Sequence, residues 1–255
     1  MNKTSKFFYL TSVYLFLYLP IVVVVIYSFN NASRSLVWHG FTLDWYRYLL
    51  QDSSLLVVAW HSLIIGILAA TIASFMATLA ATSLYRYKFY GKRFLHGLLF
   101  ILIVSPDIVM AISLLMLYSW LQIPLGFWTL LLSHITFCMP FITIIIYSRM
   151  TSLNKYIFEA AKDLGANDTV IFRRIIIPLL WPGILSGWLI GFTLSLDDVI
   201  ISYFVTGPSF QILPLKIYSL VRMGVKPEIN ALCTLLLVFT LIIVLGSQLM
   251  LRKKQ

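Results

Sequence analysis

Six apolar runs long enough to cross a bilayer, together with the polar connections between them, make up nearly all of this 255-residue chain. They lie at about residues 7–29, 62–85, 94–118, 127–147, 179–205 and 231–251. A helix needs about 20 apolar residues to cross hydrocarbon, where every backbone polar group must be satisfied within its own segment. The composition agrees: 60% of residues are hydrophobic and 11% charged, against roughly 25% charged in soluble domains. So much apolar surface has no interior to enter in a chain of this size, and the excess faces lipid. The expected fold is all-α and transmembrane, with about six helices in one domain over residues 1–255. Pro20 predicts a kink in the first run, and Ser105-Pro106-Asp107 a break in the third. The second run is rich in Ala and Ser, which favours close helix packing.

Lys and Arg set the expected orientation. Of 19 such residues, 14 fall in the N-terminus, the 86–93 loop, the 148–178 loop and the C-terminal tail, and five on the alternate side. The positive-inside rule then puts both termini and the 148–178 loop in the cytoplasm. The net charge of +10 is thereby topological, and does not point to nucleic acid. The first run exceeds the roughly 7–15 residues of a signal-peptide core and is expected to remain as an anchor. Cys138 and Cys233 both lie inside apolar runs and read as small core residues. His39, His61, His96 and His134 show no metal-ligand spacing.

The 148–178 connection is longer and patterned. Lys155 to Leu164 predicts an amphipathic helix with Tyr156, Ala160 and Leu164 on one side. Gly165 can end it in the left-handed conformation. Asn167 or Asp168 can cap a second short helix, Thr169 to Ile177, which Pro178 is expected to stop.

Within this loop, Glu159-Ala160-Ala161, then Gly165, then Ile175-x-Ile177-Pro178 resembles the EAA motif of ABC importer permeases. The family pattern ends Ile-x-Leu-Pro, and Ile177 replaces the Leu here. Four further segments, at 105–111, 196–199, 204–208 and 213–219, resemble spermidine/putrescine permease subunits of the PotC type. The resemblance implies a type I importer permease of MetI-like fold in the bacterial inner membrane. It also implies a second homologous permease subunit, two ATPase subunits and a periplasmic polyamine-binding protein. In that family the loop docks on the ATPase, which makes Glu159, Ala160, Ala161, Gly165, Ile175 and Pro178 the expected coupling residues. The sequence has no Gly-x-x-x-x-Gly-Lys-Ser/Thr phosphate loop, so no cofactor is expected on this chain, and ATP is hydrolysed by the partners.

Three of the nine acidic residues, Asp107, Asp197 and Asp198, fall inside apolar runs. An ionised group at mid-bilayer costs roughly 2.5–3.5 kcal/mol or more and needs a partner, a proton or water. No Lys or Arg lies deep in any run, and His134 is the one basic candidate. A polyamine would be held by spaced carboxylates and aromatic faces. The expected path residues are therefore Asp107, Ser195, Asp197, Asp198, Trp45 and Tyr203, with Trp188, Phe192 and Tyr46 as further aromatic surfaces. Ser195, Asp198 and Ser202 share one helix face, and Asp197 points about 100° away. Asp107 also reads as the cap of a half-helix, and Trp45 and Tyr46 as interface anchors; the Asp197-Asp198 pair offers no capping reading. Competing functions are a permease for another small solute, such as an anion or amino acid, and a proton-coupled carrier using the three carboxylates. A membrane enzyme lacks any nucleophile–base constellation.

Overall fold

A computed structural model describes residues 3–32, 37–154, 156–208, 210–222, 224 and 227–252. Among the described residues twelve α-helices follow one another: α1 (Lys3–Tyr27), α2 (Asp44–Gln51), α3 (Ser53–Arg86), α4 (Lys92–Val104), α5 (Asp107–Trp120), α6 (Phe127–Thr151), α7 (Tyr156–Asp163), α8 (Asp168–Ile171), α9 (Ile177–Asp197), α10 (Ile200–Val205), α11 (Leu213–Arg222) and α12 (Pro227–Arg252). Among the described residues there is no strand, only a single bridge between Asn30 and Phe41. Two compact units result, one from residues 1–57 with 216–255, the other from 58–215.

In the first unit α1 packs on α12, and α12 on α2. The apolar length of α1 buries almost nothing there. Between α1 and α2 the chain is pinned by Asn30, whose amide donates to the Val37 carbonyl at 2.6 Å and accepts from the His39 amide at 2.8 Å.

In the second unit α6 packs closely on α9. Gly183, Gly187 and Gly191 repeat every four residues along α9 and present bare backbone to α6. A Cβ on Gly187 would lie 2.8 Å from Ile142 Cγ2, and one on Gly191 2.6 Å from Ile142 Cδ1. Close approach of this kind supplies van der Waals packing where lipid removes the hydrophobic drive between helices. Alanines at 69, 73, 77 and 81 are buried along α3.

Among the described residues four helical stretches are long and apolar enough to span a membrane: Ser5–Tyr27, Ser53–Arg86, Phe127–Thr151 and Asp168–Asp197. The expected third span is α4 and α5, which meet at 111° and make a fifth if taken as one. Pro106 explains the turn, because its ring pushes Ser105 out of helical geometry (ψ 134°), and Pro106 is itself extended (ψ 136°). The sixth expected run lies within α12, whose described apolar part is Pro227–Ile242.

Pro178 does not stop the second short helix. The chain instead passes through a π turn, Phe172–Ile176, and continues as α9, so one helical run extends from Asp168 to Asp197. In an α-helix the proline ring meets the carbonyl four residues back. The widened turn, in which the Ile177 amide donates to the Phe172 carbonyl, relieves that collision without ending the helix. The expected fifth span is divided at Asp198-Val199, with α10 beginning at Ile200.

Candidate functional site

The break between α9 and α10 is built around a buried carboxylate. Asp198 leaves the helix in extended geometry (φ −66°, ψ 122°), and its side chain turns back onto the next helix. Oδ2 accepts from the Ser202 amide at 2.8 Å, and Oδ1 from the Ile201 amide at 3.2 Å. The reading that denies the acidic pair a capping role is thus corrected for Asp198, which satisfies the free amides that open α10.

A hydrogen-bond chain crosses from α6 to this break. His134 is fully buried, with Nδ1 2.6 Å from Ser195 Oγ and Nε2 2.9 Å from Ser202 Oγ. Ser202 Oγ donates to Asp198 Oδ2 at 2.7 Å. Since that hydroxyl has one proton, it must accept from His134 Nε2–H. The other ring nitrogen, Nδ1, is bonded to the Ser195 hydroxyl. One imidazole therefore joins the last turn of α9 to the first turn of α10, and every member of the chain is satisfied. His134 Nε2 also lies 3.5 Å from Asp198 Oδ2. The arrangement satisfies the polar groups of the break without Lys or Arg.

Asp197 differs from its neighbour. Asp198 is 7% exposed, whereas Asp197 is an exposed residue at the end of α9. Its carboxylate is within electrostatic reach of Asp198 and Asp107. Asp107 is exposed as well, in the first turn of α5. Pro106 holds the cap position without a side-chain hydrogen bond, so Asp107 favours α5 through the helix's positive end rather than as a hydrogen-bonding cap. Among the described residues neither Asp107 nor Asp197 has an ion-pair partner. Of the three carboxylates in the apolar runs, two are thus exposed and the third is buried.

Of the other expected path residues, Ser195 is the buried hydroxyl in the His134 chain. Tyr203 is exposed on α10, its ring edge-on to Phe204 at 5.6 Å. Trp188 stacks on Phe192 at 5.3 Å and donates to Thr71 Oγ1 at 3.0 Å. Trp45 belongs to the first unit, where it is half-buried and donates to the Asn30 carbonyl at 2.9 Å. Tyr46 hydroxyl meets Ser28 Oγ at 2.6 Å.

The first helix of the 148–178 loop forms as expected, as α7, whereas the second begins at Asp168 and runs on into α9. Gly165 adopts φ +80°, with nothing near the position of an added Cβ. Asn167 caps α8 by accepting from the Val170 amide at 2.9 Å. Phe158 and Ala161 are the buried side of α7. Tyr156, Ala160 and Leu164 form an exposed apolar strip, with Leu164 88% exposed. Glu159, Gly165 and Pro178 are exposed, Ala161 buried and Ile175 half-buried. Lys155 lies outside the described residues.

Two features escaped the sequence reading. The glycine repeat on α9 was available from its four-residue spacing. The pairing of Arg86 with Asp168 at 2.7 Å joins positions 82 apart and left no local pattern.

Comparison with known proteins places these features in a family. Residues 69–254 match the family described as "Binding-protein-dependent transport system inner membrane component". The spermidine/putrescine permease protein PotC of Escherichia coli K12 is 52% identical over 96% of this chain and 93% of its own length. PotC of Haemophilus influenzae is 49% identical over 98% of each chain. The putrescine permease protein PotI of E. coli K12 is 43% identical over 87% and 82%. Among solved structures, a bacterial ABC transporter importing alginate gives a TM-score of 0.71 at 15% identity over 99% and 98% of the chains. The MetNI methionine transporter gives 0.68 at 16% over 79% and 96%. These two share the fold, that of type I importer permeases. Permeases of this kind work with ATPase and substrate-binding partners rather than as enzymes themselves. This chain is a multi-pass membrane protein that belongs to the inner-membrane permease family of binding-protein-dependent ABC importers.

Proposed function

We propose that this chain is the polyamine permease subunit of an ABC importer, carrying spermidine or putrescine across the inner membrane. The observation that carries the reading is the 52% identity to PotC over nearly the full length of both proteins. The exposed pair Asp197 and Asp107, close in field and without described ion-pair partners, supports a cationic cargo in particular. An ammonium group near both relieves their mutual repulsion, and an anion is repelled.

The chain works with a second homologous permease subunit, two ATPase subunits and a periplasmic polyamine-binding protein. It holds no cofactor itself, and ATP is hydrolysed by the partners. Both termini and the 148–178 loop are cytoplasmic, as the excess of Lys and Arg there supports. The exposed strip Tyr156, Ala160 and Leu164 supports a docking role for that loop.

The test is the full complex in proteoliposomes, supplied with its binding protein and, in turn, spermidine, putrescine, an amino acid or an anionic sugar. Polyamines alone are expected to stimulate ATP hydrolysis and to accumulate. Stimulation by another solute class and not by polyamines overturns the cargo. Uptake driven by a proton gradient without the ATPase overturns the importer mechanism.

A further inference from the structure

Arg86 ends α3 at a point where both arms of the 148–178 loop converge. Its side chain is 9% exposed, unusual for a cation in a basic loop. Nη2 donates to Asp168 Oδ1 at 2.7 Å. The guanidinium also lies 5.8 Å from the centroid of Phe158, a buried residue of α7, and 5.6 Å from that of Tyr87. Phe158 meets Tyr85 of α3 edge-on at 6.3 Å, and Tyr85 meets Tyr147 of α6 at 6.5 Å.

Asp168 opens the helical run that continues through the π turn to Asp197. One guanidinium thus touches three parts: its own helix α3, the first loop helix through an aromatic face, and the start of the 168–197 run through a charge-assisted hydrogen bond. Exposed ion pairs generally add little to stability. A planar, delocalised cation that stacks and hydrogen-bonds together instead fixes relative position.

We infer that Arg86 is a positioning residue that makes α3, α7 and the 168–197 run move as one piece, so that displacement of the loop by the ATPase reaches the membrane helices. The inference rests on the docking role of the loop proposed above. Without Arg86, α7 still meets its partner but slips against α3, and ATP is hydrolysed without transport.

Two measurements on the assembled complex test this. The first is spermidine accumulated per ATP hydrolysed, in Arg86→Gln, Asp168→Asn, their double variant, and the exchanged pair Arg86→Glu/Asp168→Arg. Each single variant is expected to lower the ratio about tenfold with basal hydrolysis retained. The double variant should be no worse than either single one. The exchanged pair should recover part of the loss, since an arginine at the start of α8 opposes the helix dipole.

The second uses no cargo. Spin labels at Leu79→Cys on α3 and Lys162→Cys on α7, with the native cysteines replaced, report one narrow distance with and without ATP. That distance is expected to broaden in Arg86→Gln and to narrow again in the exchanged pair. An unchanged narrow distance in Arg86→Gln, or a normal transport ratio per assembled complex, overturns the inference. If wild type fails to respond to spermidine, the cargo assignment fails, and the label distances still decide the role of Arg86.

Discussion

His134 and Asp198 meet across a break in a membrane helix: His134 Nε2 lies 3.5 Å from Asp198 Oδ2, with the Ser202 hydroxyl bonded to both. The imidazole reaches from α6 to both sides of the interruption, and the carboxylate caps the shorter side. A helix that ends and restarts inside an apolar unit must satisfy its free backbone groups locally, because hydrocarbon offers them no hydrogen-bond partner. These two residues and two serines carry much of that duty.

Removing the imidazole should therefore act on stability. His134→Ala leaves the Ser195 hydroxyl without its described partner and opens a cavity, a loss of about 1–3 kcal/mol for the unsatisfied group alone. Thermal unfolding in detergent is expected to show lower stability, with Gln at the same position intermediate because it retains an N–H for Ser202. Unchanged melting of the Ala variant would remove His134 from the architecture of the break.

The two adjacent aspartates should separate cleanly. Asp197→Asn keeps shape and removes an exposed charge, so it is expected to reduce polyamine uptake while expression and assembly stay normal. A close carboxylate–ammonium contact contributes about 1–4 kcal/mol between aqueous and near-surface dielectrics, or roughly one to three decades of affinity. Asp198→Asn places an amide against the Ser202 hydroxyl and is expected to reduce the amount of assembled complex instead. Uptake per complex and complex yield, measured together, are the check; the reverse pattern would show that Asp198 faces the cargo.

Gly165 should tolerate asparagine better than valine. Its φ of +80° lies in the left-handed region, which costs most side chains roughly 1–2 kcal/mol and asparagine less. Nothing within 4 Å obstructs a Cβ, so the difference is conformational. Gly165→Val is expected to abolish uptake with membrane insertion intact, and Gly165→Asn to retain a substantial part. Equal uptake by both variants would contradict a role for this turn in coupling.

The α6–α9 contact gives a packing test. Gly191→Ala puts a methyl 2.6 Å from Ile142 Cδ1, and overpacking of this kind costs about 1–3 kcal/mol. Ile142→Val deletes that Cδ1 and is expected to restore most of the loss in thermal stability. An additive double variant would mean the helices part rather than clash.

The spans were legible because each is a continuous apolar run, and hydrocarbon leaves a chain few alternatives to a helix. The 111° turn between α4 and α5 was visible only as a break at Pro106, since proline fixes where a helix yields and not the angle it then takes. Pro178 misled for a related reason: its clash with the preceding turn is local, but the remedy, one extra residue per turn over Phe172–Ile176, is set by the packing of the whole run. The adjacent carboxylates read alike in sequence, and helical spacing separated their directions by about 100°. That α10 restarts at Ile200, and so turns Asp198 into a cap, depends on His134 arriving from α6, a contact over 64 residues that no local pattern encodes.

The length of α3 fixes where its last residue operates. Thirty-four residues at 1.5 Å each give a rod of about 51 Å, against a hydrocarbon layer of about 30 Å. Even at a steep inclination of roughly 40° the rod spans about 39 Å along the bilayer normal. The mismatch pushes at least one end into the headgroups or beyond, and Arg86 marks an end that is both charged and paired. The contact between Arg86 and Asp168, whose carboxylate is 55% exposed, thus meets ionic solution rather than lipid. There it is subject to counter-ion screening over about 8 Å at physiological salt, which makes the tie between α3 and the loop sensitive to ionic strength in a way that the His134 chain, sealed inside its unit, is not.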